Sequence, residues 1–158
     1  MSKKIIYFAY GSNMNTEIIR SESRVPSAKT IGRARLLNKL MVCNKESKDG
    51  SSKANLVDSP GDIVWGVLYE INSSEIGVLD RVEGGYRRTT LEVLNDSDDT
   101  INAEVYISTI VTTDLPYDCY KKLILEGARK HQLPNDYLEY LEQLPSKADP
   151  HKRQCNFI

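Results

Sequence analysis

The segment Ile63–Ile71 (IVWGVLYEI) constrains the fold more than any other stretch of the chain, because it carries one charge in nine residues and shows no strict alternation. A half-exposed strand alternates apolar and polar residues, whereas a run this apolar belongs to a strand covered on both faces. The chain must therefore supply packing on both sides of a sheet. Ser59-Pro60-Gly61-Asp62 immediately before the run reads as a turn.

Other segments supply the partners. Lys4–Tyr10 (KIIYFAY) is a β-branched and aromatic strand that halts at Gly11-Ser12-Asn13, and Asn15–Ser23 reads as a short helix. Ala34–Cys43 is a further strand, and the Gly, Ser and Lys content of Asn44–Ala54 (NKESKDGSSKA) marks a mobile loop. Ser73 and Ser74 can cap a short helix through Ile76, Leu79 and Val82, which Gly84-Gly85 stops, leaving Glu83 as its last residue or nearly so. Tyr86–Leu94 and Ile101–Ile107 form a hairpin around the acidic turn Asn95–Asp99.

Pro116–His131 is amphipathic, with Tyr117, Tyr120, Leu123, Ile124 and Ala128 on one stripe. Pro134 breaks it, and Asn135 caps a second helix to Leu144. The order of elements predicts an α+β domain on one sheet or small barrel over residues 1–145, followed by a polar tail, 146–158, that wraps the surface or frays.

The chain is long enough for one such domain, since 158 residues can bury roughly 70% of the surface of the unfolded chain. With 21 Lys+Arg against 22 Asp+Glu, the net charge is −1, and it carries no basic excess of the kind that nucleic acid or anionic membrane exploits. No segment approaches the ~20 apolar residues that span a bilayer, and the apolar stretch after Lys3-Lys4 is too short for a signal sequence. Cys43, Cys119 and Cys155 are widely spaced and odd in number, as expected of reduced thiols in a cytoplasmic protein.

Two features could carry chemistry. At Tyr10-Gly11-Ser12-Asn13, a tight turn between strand and helix points successive backbone N–H groups into one concavity, suited to a carboxylate or a developing oxyanion. The same four residues also fit a plain turn with Asn13 or Asn15 as a helix cap. Glu83, at a helix C-terminus and partly buried, would have its pKa pushed upward, which suits a group that accepts and returns a proton near neutral pH. The plainer reading is a solvated glutamate.

His131 and His151 have no partner at metal-ligand spacing, so no metal site is expected. Asp96, Asp98 and Asp99 lack the glycine and distal glutamate of a calcium loop, and Ser12 is not in a G-x-S-x-G elbow. Tyrosine outnumbers phenylalanine by 9 to 2, and Tyr7, Tyr10, Tyr106 and Tyr120 could line one polar cavity.

YFAYGSNM at Tyr7–Met14, SPGDIVWGVLYEI at Ser59–Ile71, LDRVEG at Leu79–Gly84 and YKKLILEGARKHQLP at Tyr120–Pro134 occur in this order, and the set resembles the γ-glutamylcyclotransferase (AIG2-like) family. The resemblance implies a small mixed β-barrel with flanking helices and a cofactor-free site. It places the family's catalytic glutamate on Glu83 and its substrate loop on Tyr10, Gly11, Ser12 and Asn13, preceded by Tyr7-Phe8-Ala9, with further substrate-facing tyrosines at Tyr106 and Tyr120. Many relatives have a longer loop where Gly84-Gly85 here leads directly to Tyr86, which bears on pocket depth and the leaving group.

The implied reaction folds a γ-glutamyl group on itself, its α-amine displacing the γ-amide to give 5-oxoproline and a free amine. The implied partner is a small γ-glutamyl compound, and the chain is expected to act as a monomer or homodimer. Two other readings are a γ-glutamyl-binding or regulatory module without turnover, and a serine hydrolase using Ser12, which a fluorophosphonate probe would label.

Overall fold

The apolar run lies in the middle of the sheet, as its composition requires. The computed structural model describes residues 3–151. In it, Ile63–Ile71 falls within β3 (Ser52–Asn72), which pairs antiparallel with β1 (Lys4–Ala9) on one side and with β2 (Lys29–Glu46) on the other. Val64, Val67, Leu68 and Tyr69 are completely buried. β4 (Arg87–Asn95) and β5 (Thr100–Ile107) form the expected hairpin, with Ala103 and Val105 turned into the core. The order β1-β3-β2-β4-β5 closes into a barrel because β5 meets β1 in parallel at Tyr7 and Glu104. Closure leaves the edge strands paired.

The strands extend further than composition predicts. Asn44–Ala54 is not a mobile loop: β2 continues to Glu46, β3 starts at Ser52, and Glu46 pairs with Ser52 across a turn of residues 47–51. Asp49 ties that turn by accepting the Ser51 backbone N–H at 3.0 Å, while Ser51 and Ser52 have no exposed surface. Cross-strand pairing overrides the local preference of glycine, serine and lysine. Ser59–Asp62 does not reverse the chain either. It bulges outward between the pairs Lys39–Asp58 and Leu37–Ile63, and Asn38 Oδ1 accepts the Gly61 N–H at 3.0 Å.

The first helix is shorter than expected. A 3-10 turn, Ser12–Met14, precedes a single helical turn, α1 (Thr16–Ile19), after which the Ser21 hydroxyl bonds to the Ile18 carbonyl at 2.6 Å and competes with continuation. Ser73 and Ser74 form a 3-10 turn with Glu75 ahead of α2 (Ile76–Val82) and make no capping bond. The Ser73 N–H instead reaches the Lys3 carbonyl at 2.8 Å.

α3 (Asp118–Lys130) buries Tyr120, Ile124 and Ala128 against the barrel. α4 (Asn135–Glu142) takes Pro134, not Asn135, as its cap residue. The start of the tail wraps the surface through the Lys147 N–H to Pro116 C=O bond (2.9 Å) and the Asp118 N–H to Lys147 C=O bond (2.8 Å). The expectations for Cys155 and the last seven residues lie outside the described residues. No helix among the described residues is long and apolar enough to cross a membrane.

One glycine fixes how α3 sits on the barrel. A Cβ on Gly127 would stand 2.6 Å from the Asn15 nitrogen and 2.6 Å from the Met14 carbonyl carbon, so α3 touches the Ser12–Met14 turn backbone to backbone. Only glycine permits that approach.

Candidate active site

β1 delivers Tyr7 to the barrel interior and ends at Ala9, so Tyr10 and Gly11 carry the chain directly into the 3-10 turn. The turn is held by bonds from the Met14 N–H to Gly11 C=O and from the Asn15 N–H to Ser12 C=O, each 3.0 Å. Tyr69 Oη, from the central strand, adds a bond to the Asn13 carbonyl at 2.9 Å. The leading N–H groups of such a turn have no carbonyl to reach within it. The turn borders a pocket lined by Tyr7, Tyr10, Gly11, Ser12, Asn13, Ala54, Glu83, Tyr86, Tyr106 and Tyr120. The structure thus brings every candidate residue together.

Glu83 closes α2, its N–H bonded to the Leu79 carbonyl at 2.7 Å, and Gly85 (φ +88°) then turns the chain toward Tyr86. A left-handed backbone of this kind favours glycine. The Glu83 side chain turns inward, where its Oε1 accepts a hydrogen bond from Asn13 Nδ2 at 2.9 Å. The same amide nitrogen donates to Tyr7 Oη at 3.0 Å, so Asn13 fixes the carboxylate and the tyrosine together. Asn13 Oδ1 is buried and accepts no hydrogen bond from the described residues.

Burial raises the pKa of Glu83, against the opposing pull of the Arg24 guanidinium, the Asn13 hydrogen bond and the Lys45 ammonium. Helix-end position and burial both predict that direction, and burial is the dominant cause.

The tyrosines are held neutral. Burial, and then the charge of Glu83, pushes Tyr7 and Tyr10 well above their ordinary range. Tyr10 Oη donates to the Tyr106 carbonyl, tying β1 to β5, and Tyr106 Oη turns away to Asp80 Oδ1 at 2.7 Å. Tyr106 therefore contributes mainly its ring, packed edge-on to Tyr7 at 5.8 Å between centroids. Tyr120 Oη accepts the Ala54 N–H at 3.0 Å, and Tyr86 Oη donates to the Ala54 carbonyl at 2.6 Å.

Arg24, Lys45, Ala54 and Tyr86 were not singled out from the sequence. Tyr86 carried a signal, being the tyrosine that follows the glycine pair. Arg24 and Lys45 carried none: Arg24, whose charge acts on Glu83, follows the short helix in a stretch without a motif, and Lys45 lies in the segment that reads as a mobile loop.

His131, Asp96 and Asp98 each have a side-chain partner of their own. His131 Nε2 is hydrogen-bonded to Thr16 Oγ1 at 3.0 Å and supports α1. Asp96 pairs with Arg33 at 2.9 Å and Asp98 with Arg35 on the surface of the hairpin turn. A wider cleft lined by Lys48, Asp49, Tyr117, Lys147 and His151 has Asp49 as its carboxylate, and that group is already bonded to Ser51 and Lys53.

Residues 63–141 match the AIG2-like family. The chain is similar to the human γ-glutamylcyclotransferase, with 35% identity over 151 residues covering 90% of this chain and 79% of that protein. The mouse γ-glutamylcyclotransferase is 36% identical over 148 residues, covering 88% and 78% respectively. A solved structure of a γ-glutamyl cyclotransferase superposes with a TM-score of 0.89 at 31% identity, covering 98% of this chain and 95% of that one.

Proposed function

Because the chain belongs to the γ-glutamylcyclotransferase family, a family of enzymes, we propose that it converts a γ-glutamyl amine to 5-oxoproline in this pocket, with Glu83 moving the protons. The observation that carries the reading is the Glu83 carboxylate, raised in pKa by burial and held by Asn13 beside the Ser12–Asn13 backbone.

The substrate carries its own nucleophile, so the site needs chiefly to bend it and manage charge. Glu83 takes a proton from the α-ammonium, and the freed amine attacks the γ-carbonyl. The backbone N–H groups of Gly11, Ser12 and Asn13 face the oxygen that gains negative charge, or the substrate carboxylate. Glu83 then passes that proton to the departing nitrogen as the C–N bond breaks, takes up the excess proton of the ring nitrogen in its place, and returns to the carboxylate by giving it to the released amine or to water. A carboxyl group with a raised pKa suits both halves of that transfer. Tyr7, Tyr10, Tyr106 and Tyr120 shape the wall against which the glutamyl chain folds.

Glu83→Gln keeps the acceptor for Asn13 but cannot carry a proton. Its release of 5-oxoproline from γ-glutamyl-L-alanine is expected to fall by about 10²–10⁴-fold, with folding confirmed by circular dichroism. Wild-type turnover in the folded variant would overturn the role of Glu83.

A further inference from the structure

Lys45 is a cation at the lip of the pocket. It lies near the end of β2 with its Nζ 5.1 Å from the centre of the Tyr86 ring, one wall of the pocket. A Cβ built on Gly85 would lie 3.1 Å from the same Nζ, so the ammonium also touches the turn that follows Glu83. Glu83 and Lys45 feel each other's charge.

A second lysine provides the contrast. Lys53 sits 4.5 Å from the centre of the Tyr120 ring, another lining residue, but it is almost fully buried and forms an ion pair with Asp49 at 3.4 Å. Lys45 is half-buried and makes no ion pair among the described residues. An ammonium held over an aromatic ring, partly removed from water and not neutralised by a carboxylate at contact distance, suits a transient anion. Lys45 borders Tyr86 and Gly85, so a substrate whose departing amine points toward that turn brings its leaving group to the ammonium.

We propose that Lys45 is a specificity-determining residue that receives a carboxylate on the leaving group, selecting γ-glutamyl amino acids over γ-glutamyl amines without a negative charge. The inference rests on the cyclotransferase reading of the pocket and deepens it. Lys45 also acts on the charge of Glu83, an effect common to every substrate, so its part in selection is read in the ratio between leaving groups.

The test compares kcat/KM for γ-glutamyl-L-alanine and γ-glutamyl-L-alaninamide, which differ in one charge at nearly constant shape. Wild-type enzyme is expected to prefer the acid, and Lys45→Met to lose about tenfold more on the acid than on the amide. Lys45→Arg, which keeps the charge, is expected to retain most of the preference. Were Lys45 to act only by tuning Glu83, Lys45→Met would slow both substrates alike and leave their ratio unchanged, which overturns the proposal. Equal wild-type turnover of the two substrates overturns it too. Absence of 5-oxoproline from either substrate with folded wild-type protein would overturn the cyclotransferase reading itself, and this inference with it.

Discussion

The inner wall of the pocket and its lip differ in how far their polar groups are already committed. On the wall, Tyr7, Tyr10, Asn13 and Tyr120 are each less than 10% exposed, and their side chains are joined to Glu83, to the Tyr106 carbonyl and to the Ala54 amide. On the lip, Gly84 and Gly85 are exposed, Ile110 is 51% exposed, and Lys45 makes no ion pair among the described residues. A wall whose side chains are tied to one another can hold a reacting centre in one geometry. An open lip can accept different amines without disturbing it, so the two regions divide chemistry from selectivity.

Substitutions on the wall should break that division most severely. Asn13→Ala removes the amide that orients Glu83 and Tyr7, and kcat with γ-glutamyl-L-alanine is expected to fall by about 10²-fold while the protein stays folded. A loss no larger than that of Lys45→Met would erase the distinction between wall and lip.

Behind the wall, Gly127→Ala drives a methyl group into the Met14–Asn15 backbone, which forces α3 and the Ser12–Met14 turn apart. The expected loss is about 1–3 kcal/mol, read as a fall of several degrees in Tm, with reduced activity in the fraction that remains folded. Unchanged stability would mean that the helix can retreat without strain.

The smallest effect sharpens the comparison by way of pH. Burial raises the pKa of Glu83 in the folded chain, so ionising it opposes folding: the contribution is absent below the unfolded carboxyl pKa of about 4.3 and grows as pH rises through the folded value. Glu83→Gln removes the ionisable group. The variant should therefore melt above wild type at pH 8, with the gap closing near pH 4, in thermal scans monitored by circular dichroism. A wild-type advantage at pH 8 would show that Arg24 and Lys45 outweigh the burial.

The wall was far more legible in the sequence than the lip. Its residues belong to short contiguous patterns: a strand that ends in Gly-Ser-Asn, a helix that ends in Glu before two glycines, and a tyrosine on an amphipathic stripe. The lip depends on pairing at a distance. Lys45 falls within NKESKDGSSKA, and nothing local indicates that this segment is drawn into two long strands by partners such as Ser52 and Val111. Arg24 is equally silent, lying in an irregular stretch after a helix that stops early. Caps were misjudged at Ser73, Ser74 and Asn135 because the type of a residue does not reveal which N–H groups already have backbone partners.

The barrel seam gives the molecule a built-in gauge of its own completeness. β1 and β5 meet at Tyr7 and Glu104, and the bond from Tyr10 to the Tyr106 carbonyl joins residues 96 positions apart. Parting that seam removes Tyr106 from beside Tyr7 and opens the pocket to water. Partly assembled chains, however rich in native strands, would contain Glu83 and the Gly-Ser-Asn turn but no enclosure for them. Turnover would then report the fraction of molecules whose two ends have met, a measure that spectroscopy of strand content alone would overstate.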